Sequence, residues 1–289
     1  GTKGPFEMTQ SLEHLRDWIG REESTDDVVR RDFVRGLYAT LDRADRMAEP
    51  LVVPRLIHWL HFHPLALQSE LGPDGHPKRG GFLPPVPLPR RMWAGSRMRF
   101  VRTPSVGEQI TRRSTIRDVK ITEGKTGTLV FVTVAHHITG DRGADVTDEH
   151  DIVYRAAPAP GAAPAPAKPA PTDATWRRKV TPDPVMLFRY SALTFNGHRI
   201  HYDQPYVTQV EGYPGLIVHG PLIATLLLDL LDREQPAANV VEFTFRAVSP
   251  LFDIAPFHVC GRPGNDGAVR LWAENPDGAL AMEATARVG

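Results

Sequence analysis

Between Phe188 and Leu231 the sequence brings together His198, His201, His219, an asparagine at 196 and a Gly-rich approach to a very apolar segment. Imidazole is the only side chain whose unperturbed pKa lies near neutral pH. The turn Asn196-Gly-His-Arg-Ile-His-Tyr-Asp203 is therefore the first candidate for proton transfer. Gly215–Leu231 is apolar on every face rather than along one stripe, the pattern of a helix enclosed on all sides. His219, Pro221 and Asp229 speak against a membrane span, as does its length, since a span needs about 20 predominantly apolar residues. Gly220 removes a side chain that would keep a ligand from the backbone, and Pro221 suits a first helical position that needs no N–H. The remaining N–H groups of that first turn would face a developing oxyanion.

Other residues compete for roles. Asp203 is followed by Gln-Pro-Tyr, so a helix N-cap is its expected job rather than that of a second base. Tyr213 and Tyr190 suit a pocket wall or simple packing. Arg199, Arg246, Arg90 and Arg91 each offer a guanidinium for a carboxylate or a phosphate, with surface solvation as the default. His58 and His61 are spaced for a metal on a helix face, yet no Asp, Glu or Cys nearby in sequence completes a ligand set, so packing is expected. Cys260, the one cysteine, sits in an apolar strand and is read as packing.

The turn at 196–203 followed by Val218-His219-Gly220 resembles the motif of the MaoC-like hot-dog hydratases, Asp-x-Asn-Pro-x-His-x-Asp and then a Val-His-Gly helix start. The run FRYSALTFN-x-HRIHYD is similar to the hydroxyacyl-thioester dehydratase type 2 branch, which includes mesaconyl-C4-CoA hydratases. Arg90-Arg-Met-Trp93-Ala-Gly resembles the N-terminal half of the same branch. The resemblance implies His201 as the catalytic base and the N–H of Gly220 as oxyanion donor, and His198, Arg199, His219, Tyr213, Arg90, Arg91, Trp93 and Arg246 are the candidates for binding the substrate. The departure is Asn196, which stands where many relatives have Asp. An amide cannot accept and return a proton at neutral pH, but it can orient water, so His201 would transfer the proton with Asn196 positioning.

The surrounding chain must hold these groups. Its 289 residues, 41% hydrophobic and 24% charged, suffice for one large or two ordinary domains. Lys+Arg and Asp+Glu are both 34, so no bulk charge favours nucleic acid or membrane. Helical spacing marks Ser11–Gly20 and Asp32–Arg43, and Pro50–Leu67 is apolar and about as long as the later helix. Gly72–Pro89 is a long Pro/Gly-rich loop, which suggests a covering segment. Strands alternate through Ile110–Ile121, Thr126–Ile138 and Val146–Tyr154, and later near Val240–Ala247, Ala255–Gly261, Ala268–Ala273 and Ala279–Val288. Ala156–Pro171, almost wholly Ala and Pro, reads as an interdomain linker. A lead-in, a helix and antiparallel strands therefore occur twice.

These readings combine into an α+β tandem hot-dog. Residues 8–155 form a first domain that has lost the catalytic turn and shapes the acyl pocket, 156–175 link, and 176–289 carry catalysis. The segment before Met8 has the look of an expression remnant. Water addition to an enoyl-CoA, or the reverse dehydration of a 3-hydroxyacyl-CoA, is the expected reaction, with a short, even dicarboxylic, acyl group. Thioester hydrolysis on the same fold and a non-catalytic acyl-CoA-binding module are the alternatives. No metal, flavin or nicotinamide motif is evident, so no cofactor is expected beyond the CoA of the substrate. The expected partner is an acyl-CoA, with neither nucleic acid nor membrane and with a homodimer left open. The absence of a signal-peptide layout suggests a cytoplasmic location.

Overall fold

Ten antiparallel strands form one continuous sheet in the computed structural model, which describes Gly4 and residues 11–289. The first half contributes β1 (Glu22–Val28), β2 (Arg90–Arg102), β3 (Gln109–Gly124), β4 (Gly127–Gly140) and β5 (Asp145–Arg155). The second half contributes β6 (Trp176–Val180), β7 (Val240–Ala247), β8 (Phe257–Pro263), β9 (Ala268–Glu274) and β10 (Leu280–Val288). Their spatial order, β1-β3-β4-β5-β2-β7-β10-β9-β8-β6, reads the same from either edge once each strand is replaced by its counterpart. The seam is the β2–β7 pair, running from Gly95↔Arg246 to Arg99↔Glu242. This is a double hot-dog, α+β in class. Gly140–Gly143 between β4 and β5 and Glu274–Gly278 between β9 and β10 are corresponding turns, as their spacing suggested.

Among the described residues the α-helices are α1 (Arg31–Thr40), α2 (Pro184–Thr194) and α3 (Gly220–Glu234). α3 is the helix wrapped by the second half's strands, and every residue from Leu222 to Leu231 is buried. Each leucine so enclosed contributes roughly 1.5–3 kcal/mol relative to exposure. Thr225 and Asp229 are the polar members of that stretch. Thr225 Oγ1 donates back to Pro221 O, and Asp229 accepts from Arg43 and Arg233, both within 2.8 Å. Arg43, 4% exposed, also reaches Asp45 and Asp232, so the turn after α1 is pinned to α3 through buried charge. Removing one partner of such a pair leaves a buried charge without compensation.

The first half departs from the expected repeat. Pro50–Leu67 forms no long helix; only a 3₁₀ turn at Ile57–Leu60 is helical. Pro50, Pro54 and Pro64 explain this, because each lacks the N–H that a continuing helix needs and crowds the preceding turn. The helix of this half is the shorter α1, which packs against α2 rather than inside its own sheet. Before it, Ser11–Gly20 carries a 3₁₀ helix at Glu13–Trp18, and the unexpected β1 pairs with β3. β1 escaped notice because Glu22-Glu-Ser-Thr-Asp-Asp27 is a polar edge strand with no apolar alternation. Residues 156–171 run without helix and touch the second half at the Pro169↔Ala279 bridge. The expectation about Gly1–Glu7 falls outside the described residues except at Gly4. Among the described residues no helix is long and apolar enough to cross a membrane.

Candidate active site

The candidate turn at 196–203 starts where α2 stops. Asp183 caps α2 by accepting from Met186 N at 2.7 Å, and the helix ends on Phe195 at φ 51° with Asn196 N donating to Ser191 O at 2.9 Å. A left-handed phenylalanine costs roughly 1–2 kcal/mol. Its ring stacks on His63 at 5.7 Å, which holds it there. Asn196 Oδ1 then accepts from His198 N at 3.0 Å, closing an Asx turn, and a 3₁₀ turn at Arg199–His201 swings His201 inward.

His201 is 7% exposed, and its Nδ1 lies 2.6 Å from Ile217 O. A carbonyl oxygen can only accept, so the neutral ring carries its hydrogen on Nδ1 and its lone pair on Nε2. Burial lowers the pKa of His201 to about 3, so the ring is neutral at ordinary pH. Its face stacks on His219, with centroids 3.7 Å apart. His219 ends the approach to α3 with Nε2 at 2.7 Å from Ser191 Oγ, and burial holds its pKa well below the usual histidine value. Gly220 follows. A Cβ there would meet nothing within 4 Å, so the N-terminus of α3 opens onto free space.

The loop after the first half's 3₁₀ turns folds over this constellation. Arg199 N donates to Asp74 O at 2.8 Å, and the ring of His76 lies 3.9 Å from that of His198. Gly75 adopts φ +88°, and a Cβ on it would fall 2.0 Å from Gly197 O. Only glycine therefore lets loop and turn approach this closely. Burial lowers the pKa of both His76 and His198 to about 3; Asp74, at 4.0 Å from His198 Nε2, does not offset it.

A second polar cluster comes from the first half. The registers of β3, β4 and β5 line up Ser114, His136 and Asp148 across three strands on the inner face. Asp148 Oδ2 accepts from His58 Nε2 at 2.8 Å, Trp59 Nε1 at 2.8 Å and His150 Nε2 at 2.9 Å. Burial alone would raise the pKa of Asp148, but the two imidazoles outweigh it and hold the carboxylate well below its usual range. His136 sits 2.7 Å from Ser114 Oγ, and burial keeps it neutral. These residues and the ends of α2 and α3 enclose a cavity of about 250 Å³. Asn196, Tyr190, His219 and Pro221 line it from the second half; His136, Asp148, His150 and Arg112 line it from the first. His201 lies behind His219 and does not line this cavity.

The expected residues thus divide. His198, His201, His219 and Asn196 come together, with Gly220 adjoining them. Trp93 lines the cavity, stacked on His150 at 4.1 Å. Tyr213 lies nearby against Phe252 as part of the core. Asp203 caps the turn that follows, accepting from Tyr206 N at 3.1 Å, and it pairs with Arg199, which is thereby committed to the surface of the turn. Arg90 is paired with Glu211, and Arg91 is exposed at the start of β2. Arg246 is not at the cavity: it alternates with the buried Phe243 and Phe245, so it projects from the outer face of the sheet and pairs with Glu283. Cys260 is buried, which pushes its thiol up to about 12 and leaves it inert. His61 is satisfied within the fold, accepting from Arg30 N and donating to Ile57 O. Among the described residues no group of three or more His, Cys, Asp or Glu is arranged to hold a metal ion.

The sequence reading missed His76, His58, Asp148, His150, His136 and Arg112. For Arg112, His136, Asp148 and His150 the signal was present as polar residues on strands whose inward positions are otherwise largely apolar. His58 was set aside for want of an acid nearby in sequence, and the acid arrives from β5, 90 residues later.

The family model of hydroxyacyl-thioester dehydratase type 2 matches residues 56–253, from the 3₁₀ turn through the candidate turn to the loop after β7. The chain belongs to the hydroxyacyl-thioester dehydratase type 2 family. It is 46% identical over 275 residues to a mesaconyl-C(4)-CoA hydratase of Chloroflexus aurantiacus, an alignment that covers 94% of this chain and 97% of that relative. Its fold is similar to that of a MaoC-like dehydratase from Phytophthora capsici, with TM-score 0.69 at 13% identity over 96% and 98% of the two chains. A double hot-dog protein of Mycobacterium tuberculosis is similar with TM-score 0.54 at 14% identity, covering 94% and 96%. This type 2 dehydratase therefore adds water to, or removes it from, an acyl thioester.

Proposed function

We propose that the protein hydrates the double bond of a short enoyl-CoA that carries a second carboxylate, as the name of its mesaconyl-C(4)-CoA relative suggests, and catalyses the reverse dehydration. The observation that carries this reading is the tautomer of His201: Ile217 O takes the Nδ1 hydrogen and leaves Nε2 as a free base beside the start of α3. In the forward direction Nε2 takes a proton from water, and the water oxygen bonds to the β-carbon. The π electrons move to give an enolate, whose oxygen accepts from the N–H of Gly220. The imidazolium then returns its proton to the α-carbon, so H and OH have been added and the base is regenerated. Asn196, whose Oδ1 is occupied by His198 N, has its amide nitrogen left to orient water or thioester.

The cavity of about 250 Å³ lies below the roughly 300–1,000 Å³ typical of drug-sized ligands, which favours a short acyl chain. Incubation with crotonyl-CoA and with mesaconyl-C4-CoA, following enoyl absorbance and free thiol together, tests the proposal. Loss of absorbance without thiol release is expected. Thiol release would make the protein a thioesterase, and no change with either substrate would reject this reading of the substrate class.

A further inference from the structure

Arg112 is the cavity residue that the hydration chemistry leaves without a task. Its strand register places it in a row with Ile138 on β4, Val146 on β5 and Phe100 on β2, all three buried and apolar. It is two residues from Ser114 on β3, and so shares the inner face with the Ser114-His136-Asp148 row. Its guanidinium lies over the ring of Phe62, 5.1 Å from the centroid, and its Nε is buried with no hydrogen-bond partner. Arg43 and Arg79 have carboxylate or carbonyl partners, whereas the Nε atoms of Arg35 and Arg112 are buried without one among the described residues, and of these two only Arg112 lines the cavity. Arg112 has only the more distant charges of Glu23 and Asp148, which soften the cost of its burial without cancelling it. A cation held in an apolar row without a counter-ion is expensive, and the fold keeps it where it lines a cavity.

We infer that Arg112 is the receptor for the free carboxylate of a dicarboxylic acyl group, and hence the residue that selects acid-bearing from plain enoyl thioesters. The composition of the wall supports the orientation. Asn196, His219 and Pro221 line the cavity from the second half, beside the start of α3 that would hold the oxyanion, and Arg112 lines it from the first half, where the chain's distal group would be met. Asp148 Oδ2 is occupied by three donors and its Oδ1 is buried without a partner, but no ion pair joins it to Arg112 among the described residues, which leaves the guanidinium available. A planar guanidinium braced by Phe62 presents its remaining N–H groups as a fork, the geometry that matches a carboxylate.

This inference rests on the dicarboxylic reading of the substrate, and its test separates the two. Arg112→Gln should lower the ratio of kcat/KM for mesaconyl-C4-CoA to that for crotonyl-CoA by roughly 10²-fold, the scale of a lost charge-assisted hydrogen bond in a dry site. Arg112→Lys, which keeps the charge but loses the fork, should recover part of that ratio. Calorimetric titration of wild type and both variants with freshly purified succinyl-CoA and with butyryl-CoA provides a readout that needs no turnover. Wild type should prefer succinyl-CoA, and Arg112→Gln should abolish the preference. If that binding pattern appears without hydration of either enoyl substrate, the hydration proposal fails and the role of Arg112 stands. An unchanged ratio in Arg112→Gln, an equal fall on both substrates, or a wild type indifferent to the second carboxylate would each overturn the assignment.

Discussion

The two halves of the sheet each hold a buried group of histidines, and the two groups are built differently. In the first half His58 and His150 point their Nε2 atoms at one carboxylate, Asp148, which is wholly enclosed. At the second half's turn, His198, His201 and His219 lie against one another and against His76 from the first half's loop, with backbone carbonyl and hydroxyl partners and with Asp74 only at 4.0 Å. An imidazole bound to a buried anion is fixed in place. One that donates Nδ1–H to a carbonyl keeps a free nitrogen whose proton can come and go. The first group is suited to holding a shape and the second to exchanging a proton.

That contrast is sharpest if the two groups are removed separately. His201→Ala should cut turnover by about 10²–10⁴, the usual worth of a general acid–base group, while circular dichroism and thermal midpoint stay close to wild type. Near wild-type turnover would dismiss His201 as the base. Asp148→Ala should behave in the opposite sense, costing about 3–5 kcal/mol of stability because His58, His150 and Trp59 lose their common acceptor. Urea unfolding measures it, and a loss below about 1 kcal/mol would show that the cluster is not a structural anchor.

Smaller effects probe the loop that joins the halves. Gly75→Ala must strain a residue at φ +88° and push it from Gly197 O, so a cost of about 1–3 kcal/mol falls on the contact between loop and candidate turn. We expect a raised KM with the global unfolding midpoint little changed; an unaltered KM would make the loop irrelevant to substrate. The gentlest test is pH. His198 has its pKa lowered by burial to about 3, so the unfolded chain binds its proton first as pH falls through roughly 6.5. Its contribution to stability is present above that value and is lost progressively down toward 3. His198→Gln should therefore reduce the acid slope of stability by at most about 1.4 kcal/mol per pH unit, and a slope identical to wild type would show that His198 is already protonated in the fold.

Much of this was legible beforehand in places where one local signal dominates. The all-round apolar pattern of Leu222–Leu231, the capping position of Asp203 and the strand alternation of β4 and β5 each survive in the fold because packing agrees with them. The turn with His201 and Asn196 was legible because its residues are adjacent in sequence. The cavity's first-half wall was not, since Arg112, His136 and Asp148 meet only through strand register, which periodicity does not reveal. Pro50–Leu67 misled because apolar content alone cannot tell a helix from a chain that prolines keep extended.

The β2–β7 seam has a consequence for covalent continuity. At its start Gly95 lies so close to Phe245 O that a Cβ would stand 2.4 Å away, and Trp93 and Phe245 close together over it at 5.7 Å. Each half thus presents to the other a strand whose hydrogen bonds have no other taker. The Ala/Pro tract at 156–171 then acts over its first part as a tether that sets an effective concentration, while its end is anchored to the second half, Leu280 N donating to Lys168 O at 2.7 Å and Ala170 N to Gly278 O at 3.0 Å. A chain cut within that tract has lost no sheet hydrogen bond, and its two fragments carry all the information needed to find each other; what the tether supplies is speed and stoichiometry.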